Sequence, residues 1–156
     1  MQLQKQITDF IYGTNRVRRK YEAKYPGETV LAADACKGTR VKGDGEIKRG
    51  ANWVVSKRAV LILTNKNIVC GDWLIKLDDI EKATLVLFDS FWGAGQVLQI
   101  KTKEQLHFQF GMQRNLAWDS QNVLPLTVET GKLKYSWFSI MVRVLAIAYL
   151  LYLFFR

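Results

Sequence analysis

His107 is the single histidine of the 156-residue chain, so any histidine-based triad or metal cluster would have to be assembled around one residue. It falls on the polar register of a strand-like segment in which Leu106, Phe108 and Phe110 alternate with His107 and Gln109. A wet strand position explains it without catalysis. Asp78 and Asp79 adjoin, but neighbours at a strand end point apart, and a solvated turn accounts for them better than paired acid–base work. Cys36 and Cys70 each lie in apolar, strand-like surroundings, which reads as two reduced, buried thiols in a reducing compartment; two cysteines alone give no metal motif. No G-x-S-x-G, P-loop, C-x-x-C or H-E-x-x-H spacing occurs. The chain is therefore expected to be no enzyme and to need no cofactor and no metal.

The other residues with chemical potential are those that lipid or a partner would contact. Asp89-Ser-Phe91-Trp92-Gly-Ala-Gly95 places Phe91 and Trp92 in a Gly-flanked loop, where large rings either cap a core or form a wedge for a bilayer or partner. Residues 135–156 read YSWFSIMVRVLAIAYLLYLFFR. Eleven Leu, Ile, Val or Phe residues between Trp137 and Phe155 each favour insertion by roughly 0.3–0.6 kcal/mol, against a cost of about 2.5–3.5 kcal/mol for Arg143 at the bilayer centre. Arg143 lies about two turns in, near enough to an end for its side chain to reach the headgroups, and Tyr135 and Trp137 suit the interface. The expectation is a single-pass transmembrane tail anchor. A helix lying on the bilayer is the alternative, because the uninterrupted apolar run from Val144 to Phe155 is only twelve residues.

The net charge of +9 is unevenly distributed: residues 1–58 hold 13 Lys/Arg against 6 Asp/Glu, and residues 59–134 hold 8 of each. Beside a membrane anchor, the nearest polyanion is the acidic cytoplasmic leaflet, at about 1 kcal/mol per basic residue. Nucleic acid is not favoured, since the basic half lacks interleaved stacking aromatics and a binding-fold signature. Lys132 and Lys134 precede the tail and only Arg156 follows it, which puts the N-terminal domain in the cytoplasm by the positive-inside rule.

These residues need elements to hold them. Leu3, Ile7, Phe10 and Ile11 follow a helical stripe, followed by Arg16, Arg18, Arg19, Lys20 and Lys24 before Pro26-Gly27, so an N-terminal amphipathic helix is expected, with Gly13 and Asn15 as a point of division. Its stripe has two uses: packing on the domain, or lying on a bilayer with the basic residues at headgroup level. From Thr29 the pattern becomes short β-branched and aromatic runs broken by turns. Strands are expected at about 29–36, 46–55, 58–64, 68–70, 73–76, 82–88, 96–102 and 106–110, closing as a small barrel or sandwich with Trp53, Trp73 and Trp118 in the core. Asn65 and Asn67, able to take positive φ, mark one turn, and 103–105 closes the last hairpin. A short helix near 114–121 plugs one end, and residues 123–134 are read as a linker to the tail. The domains are then 1–26, 27–122, 123–134 and 135–156.

The run from Ala59 to Ala83, AVLILTNKNIVCGDWLIKLDDIEKA, resembles the core of GRAM and bacterial pleckstrin-homology-like domains. The resemblance rests on Leu63-Thr64, the turn from Asn65 to Asn67, Ile68-Val69, and Ile75, Leu77 and Ile80. It continues into Leu98–Thr102, Phe108–Gly111 and Trp118, covering about residues 27–122. It implies a mainly β fold, a bent seven-stranded barrel with a C-terminal capping helix, used for binding phosphoinositides, other membrane components or proteins. In the phosphoinositide-binding members the basic residues lie on the first two strands and their joining loop. The matching positions are Lys37, Arg40, Lys42, Lys48 and Arg49, with Gly38, Gly43, Gly45 and Gly50 leaving room for backbone amides to approach an anion. Asp44 and Glu46 in the same loop depart from that pattern. The resulting expectation is a membrane-tethered, non-catalytic binding module for acidic lipid headgroups or a protein partner. The alternative is a structural or assembly protein that acts by homo-oligomerisation without a specific lipid.

Overall fold

Strand begins at Val30, where the apolar run Val30–Cys36 opens, and from there the chain is mainly β. The computed structural model describes residues 2–41, 48–49, 56–90, 93–131, 134–135 and 137–155. Two helices lead, α1 (Gln2–Tyr12) and α2 (Thr14–Lys24), divided at Gly13, whose φ of 62° is left-handed and costs glycine little. Strands β1 (Val30–Val41), β2 (Lys48–Arg49), β3 (Lys57–Thr64), β4 (Asn67–Cys70), β5 (Trp73–Lys76), β6 (Ile80–Ser90), β7 (Gly93–Thr102), β8 (His107–Gln113), β9 (Leu126–Thr130) and β10 (Lys134–Tyr135) follow, then helix α3 (Trp137–Phe155).

Eight strands form one bent, open sheet in the order β5-β4-β3-β1-β8-β7-β6-β9. All neighbours are antiparallel except β6 and β9, which run parallel; β2 and β10 make a separate parallel pair. The inward register is mainly apolar along the long strands: Ala32 and Cys36 on β1, Leu61 and Leu63 on β3, Leu85 on β6, Leu98 and Ile100 on β7, Phe108 and Phe110 on β8, with Asp34 and Gln96 as buried polar exceptions. Each fully buried Leu, Ile or Phe contributes roughly 1.5–3 kcal/mol, so this shared face is the main source of stability. Trp73 meets the Phe108 and Phe110 rings edge-on at 5.5 and 6.2 Å. On the convex face a smaller cluster joins Tyr21 of α2 to Val30, Val60 and Ile62.

Several expectations need correction. Among the described residues no helix is long and apolar enough to cross a membrane, so the transmembrane, tail-anchor and single-pass reading falls. The physical reason lies in α3: Arg143 interrupts it, and the uninterrupted apolar run after it, Val144–Phe155, is only twelve residues, well short of the roughly 20 that a hydrocarbon core of about 30 Å needs. The barrel does not close. β5, only four residues long, and β9 are both left as edges. The capping helix is a three-residue 3-10 turn, Leu116–Trp118, because residues two apart on so short a turn diverge: Trp118 enters the core and Leu116 stays exposed. The stretch read as a linker supplies β9. The β3–β4 turn uses no positive φ at asparagine; the Thr64 hydroxyl holds it by accepting from the backbone N–H of Lys66 (3.1 Å) and Asn67 (2.8 Å). Among the described residues the one left-handed non-glycine is Gln105, at φ 61° in the β7–β8 turn.

Candidate functional site

An aspartate sits where the alternation of β1 demands an apolar residue. Asp34 is 2% exposed and accepts from the Trp118 indole Nε1 (2.7 Å), from Asn115 Nδ2 (2.6 Å) and from the Lys5 ammonium. Lys5 also pairs with Asp9 at 2.8 Å. Burial pushes the Lys5 ammonium down, but the carboxylates of Asp34 and Asp9 outweigh it and hold the group above its ordinary value. Asp9 accepts from the Thr14 hydroxyl (3.1 Å), and Thr8 accepts from Gln113 Nε2 (3.0 Å). Lys5, Thr8 and Asp9 have the i, i+3, i+4 spacing of one helix face, so α1 is fastened to the sheet by its polar side.

The consequence for the opposite side is direct. Ile7, Phe10 and Ile11 point into solvent at 51, 88 and 72% exposure. An amphipathic helix normally buries its apolar stripe; here the stripe is displayed and the ionic side, half-buried, faces the sheet. Next in the chain, α2 turns Tyr21 inward and exposes Arg16, Arg18, Arg19, Lys20 and Lys24. Of these, Arg18 pairs with Glu22 at 2.9 Å.

Glu28 locks α2 to the sheet, accepting from the Tyr21 hydroxyl (2.7 Å), the Thr64 hydroxyl (2.8 Å) and Asn67 Nδ2 (2.9 Å). Burial raises the Glu28 carboxyl, but these three donors outweigh it and hold the group below its ordinary value. Burial, and then the hydrogen bond to Glu28, push the Tyr21 phenol up to about 12. Between the fixed α2 and strands β3–β5 an open groove of about 580 Å³ remains, with Val60, Ile62 and Val69 on its floor. Lys20, Lys24 and Arg58 line it, as do Tyr12, Tyr25 and Trp73.

Of the residues singled out by sequence, Lys37 and Arg40 are both exposed on β1, but three positions apart on an extended strand puts them on opposite faces. Lys37 lies on the convex side, cross-strand from Arg58, and Arg40 stands over the Phe108 ring at 5.4 Å. Lys48 and Arg49 form β2, paired with Lys134 and Tyr135 just ahead of α3. Trp137 and Arg143 belong to α3. Lys42, Phe91 and Trp92 lie outside the described residues, as does Trp53. No family model, curated protein or solved structure matches the chain.

The remaining chemistry-bearing residues have structural surroundings. Cys36 and Cys70 are free and buried with sulfurs 3.5 Å apart, and the neighbouring Cys70 together with burial holds the Cys36 thiol far above its ordinary value. Asp78 and Asp79 are exposed in a 3-10 turn. Among the described residues no three His, Cys, Asp or Glu side chains are grouped to hold a metal. Sequence reasoning found the α1 stripe and the α2 cations but missed the groove. It also missed the ionic docking of α1, for which the one available signal was Asp34, a charge inside the apolar run Val30–Cys36 that had to find a partner elsewhere.

Proposed function

We propose that this chain is a non-catalytic, pleckstrin-homology-like binding module that engages acidic lipid headgroups at a membrane surface. The contact is made by the N-terminal helices: α1 lays Ile7, Phe10 and Ile11 into the headgroup–acyl boundary, and the cations of α2 meet the acidic lipid. The observation that carries the reading is the inverted docking of α1, polar side to the sheet and apolar side to solvent. A displayed apolar stripe next to a basic segment has the composition of an interfacial helix. The open, bent sheet supplies the rigid support that a PH-like module needs.

The test places an environment-sensitive fluorophore on an Ile11→Cys variant of the full chain; Cys36 and Cys70 are buried and stay unlabelled under native conditions. Vesicles containing phosphatidylserine should shift the emission to shorter wavelength, and pure phosphatidylcholine vesicles should shift it much less. Replacing Phe10 and Ile11 by serine should weaken vesicle binding by roughly 100-fold, the equivalent of about 3 kcal/mol of lost apolar burial. Unshifted emission on acidic vesicles would refute the reading, and equal shifts on both vesicle types would remove its acidic component.

A further inference from the structure

The groove between α2 and the sheet has features that a generic basic surface does not need. Its volume of about 580 Å³ falls within the range of small-molecule sites, and its floor of Val60, Ile62 and Val69 is apolar. Three cations line it, Lys20, Lys24 and Arg58, and none has an ion-pair partner among the described residues. The single acid among its lining residues, Asp72, is already neutralised by Lys57, which also sits over the Trp73 ring at 5.1 Å. The groove therefore carries uncompensated positive charge against an apolar floor. The wall is rigid, because Glu28 ties Tyr21 to the β3–β4 turn. Tyr12, which ends α1, lines the groove directly after Phe10 and Ile11, so the groove adjoins the displayed apolar stripe. Val17 and Leu74 line it as well and are exposed.

We infer that this groove is a specific site for one anionic glycerophospholipid, its phosphate held by Lys20, Lys24 and Arg58 and the glycerol and first acyl carbons against Val17 and Leu74. A terminal phosphomonoester fits best: three cations match a group able to carry two negative charges, and the Arg58 guanidinium can bind two of its oxygens side by side. The choice of a lipid over a free anion rests on the membrane-surface reading above. Neither Arg40 nor β2 lines the groove.

The experiment uses monomeric, short-chain dihexanoyl phosphatidic acid, titrated calorimetrically into the full chain below the concentration at which the lipid aggregates. One lipid should bind per chain. The variant Lys24→Gln/Arg58→Gln should weaken this by roughly tenfold or more, whereas Lys82→Gln/Lys103→Gln, which removes the same charge from exposed residues outside the groove and outside the helices, should change it by about twofold at most. Equal losses in the two variants would reduce the effect to diffuse charge and overturn the inference. Inorganic phosphate should bind much more weakly, and equal affinity for it would overturn the assignment to a lipid. The two readings fail separately: loss of monomer binding with fluorophore insertion intact defeats the groove alone, and monomer binding without insertion defeats the membrane-surface reading. Thermal unfolding of each variant confirms that these exposed substitutions leave the fold in place.

Discussion

Replacing Asp34 by asparagine keeps the side-chain shape and removes the charge on which three donors converge. The carboxylate receives Trp118, Asn115 and Lys5, and a hydrogen bond to an ionised acceptor is worth about 1.5–3 kcal/mol against about 1 for a neutral one. An asparagine also presents an NH2 group to at least one of these donors. Removing one partner of a fully buried ion pair costs roughly 3–5 kcal/mol. Lys5 retains Asp9 and is 29% exposed, which places this case at the lower end, about 3 kcal/mol. For a chain of 156 residues, with about 2.1 cal/mol/K of unfolding entropy per residue, that corresponds to a fall in Tm of about 9 °C. Urea unfolding followed by circular dichroism gives the free energy, and hydrogen exchange shows where it is lost: α1 and the Leu116–Trp118 turn should lose protection while β6 and β7 keep theirs. A double-mutant cycle with Lys5→Met isolates the pair. A loss below about 1 kcal/mol, or zero coupling between the two substitutions, would refute the argument that α1 is held by its ionic side.

Two further outcomes follow from the packing. The Tyr21 phenol should ionise near pH 12 in ultraviolet titration; because its folded pKa is raised, the stability it contributes is complete below pH 10 and is lost as pH rises from 10 through 12. Ionisation at the ordinary value of 10 would show that the phenol is neither buried against the sheet nor hydrogen-bonded to Glu28. Gly38→Ala would bring a Cβ to 3.0 Å from both the Phe110 and Trp73 rings, so urea unfolding should show a loss of about 1–3 kcal/mol at unchanged m; a neutral result would mean that the rings have room to retreat.

The long strands were legible because alternation is local: Leu98 and Ile100 inward against Gln99 and Lys101 outward needs no knowledge of the partner strand. The 3-10 turn was misread as a helix because Leu116 and Trp118 both look like core residues, and only the Asp34 contact decides which one enters. β9 was missed because a parallel partner 40-odd residues earlier leaves no turn signal beside Leu126–Thr130. The orientation of α1 was illegible for the same reason. Its stripe is visible in the sequence, but the side it docks by depends on Lys5 meeting Asp34, 29 positions away. Of the residues that sequence proposed for an anion, Lys37 and Arg40 were separated by a count of three along an extended strand, a parity that the basic run itself conceals.

An unclosed sheet leaves two ladders of free backbone amides and carbonyls, each a template on which a foreign strand could grow. Among the described residues the outermost ladders belong to the short members, β5 with four residues and β9 with five, while the longer β6 and β7 lie inside the sheet, with β9 pairing Ala83–Leu87 of β6 and β8 pairing Gly95–Lys101 of β7. Lys76 at the end of β5 and Glu129 within β9 place charge on both borders. The molecule can therefore do without a closed barrel and still resist fibrous self-assembly, because each border is short and carries a charge.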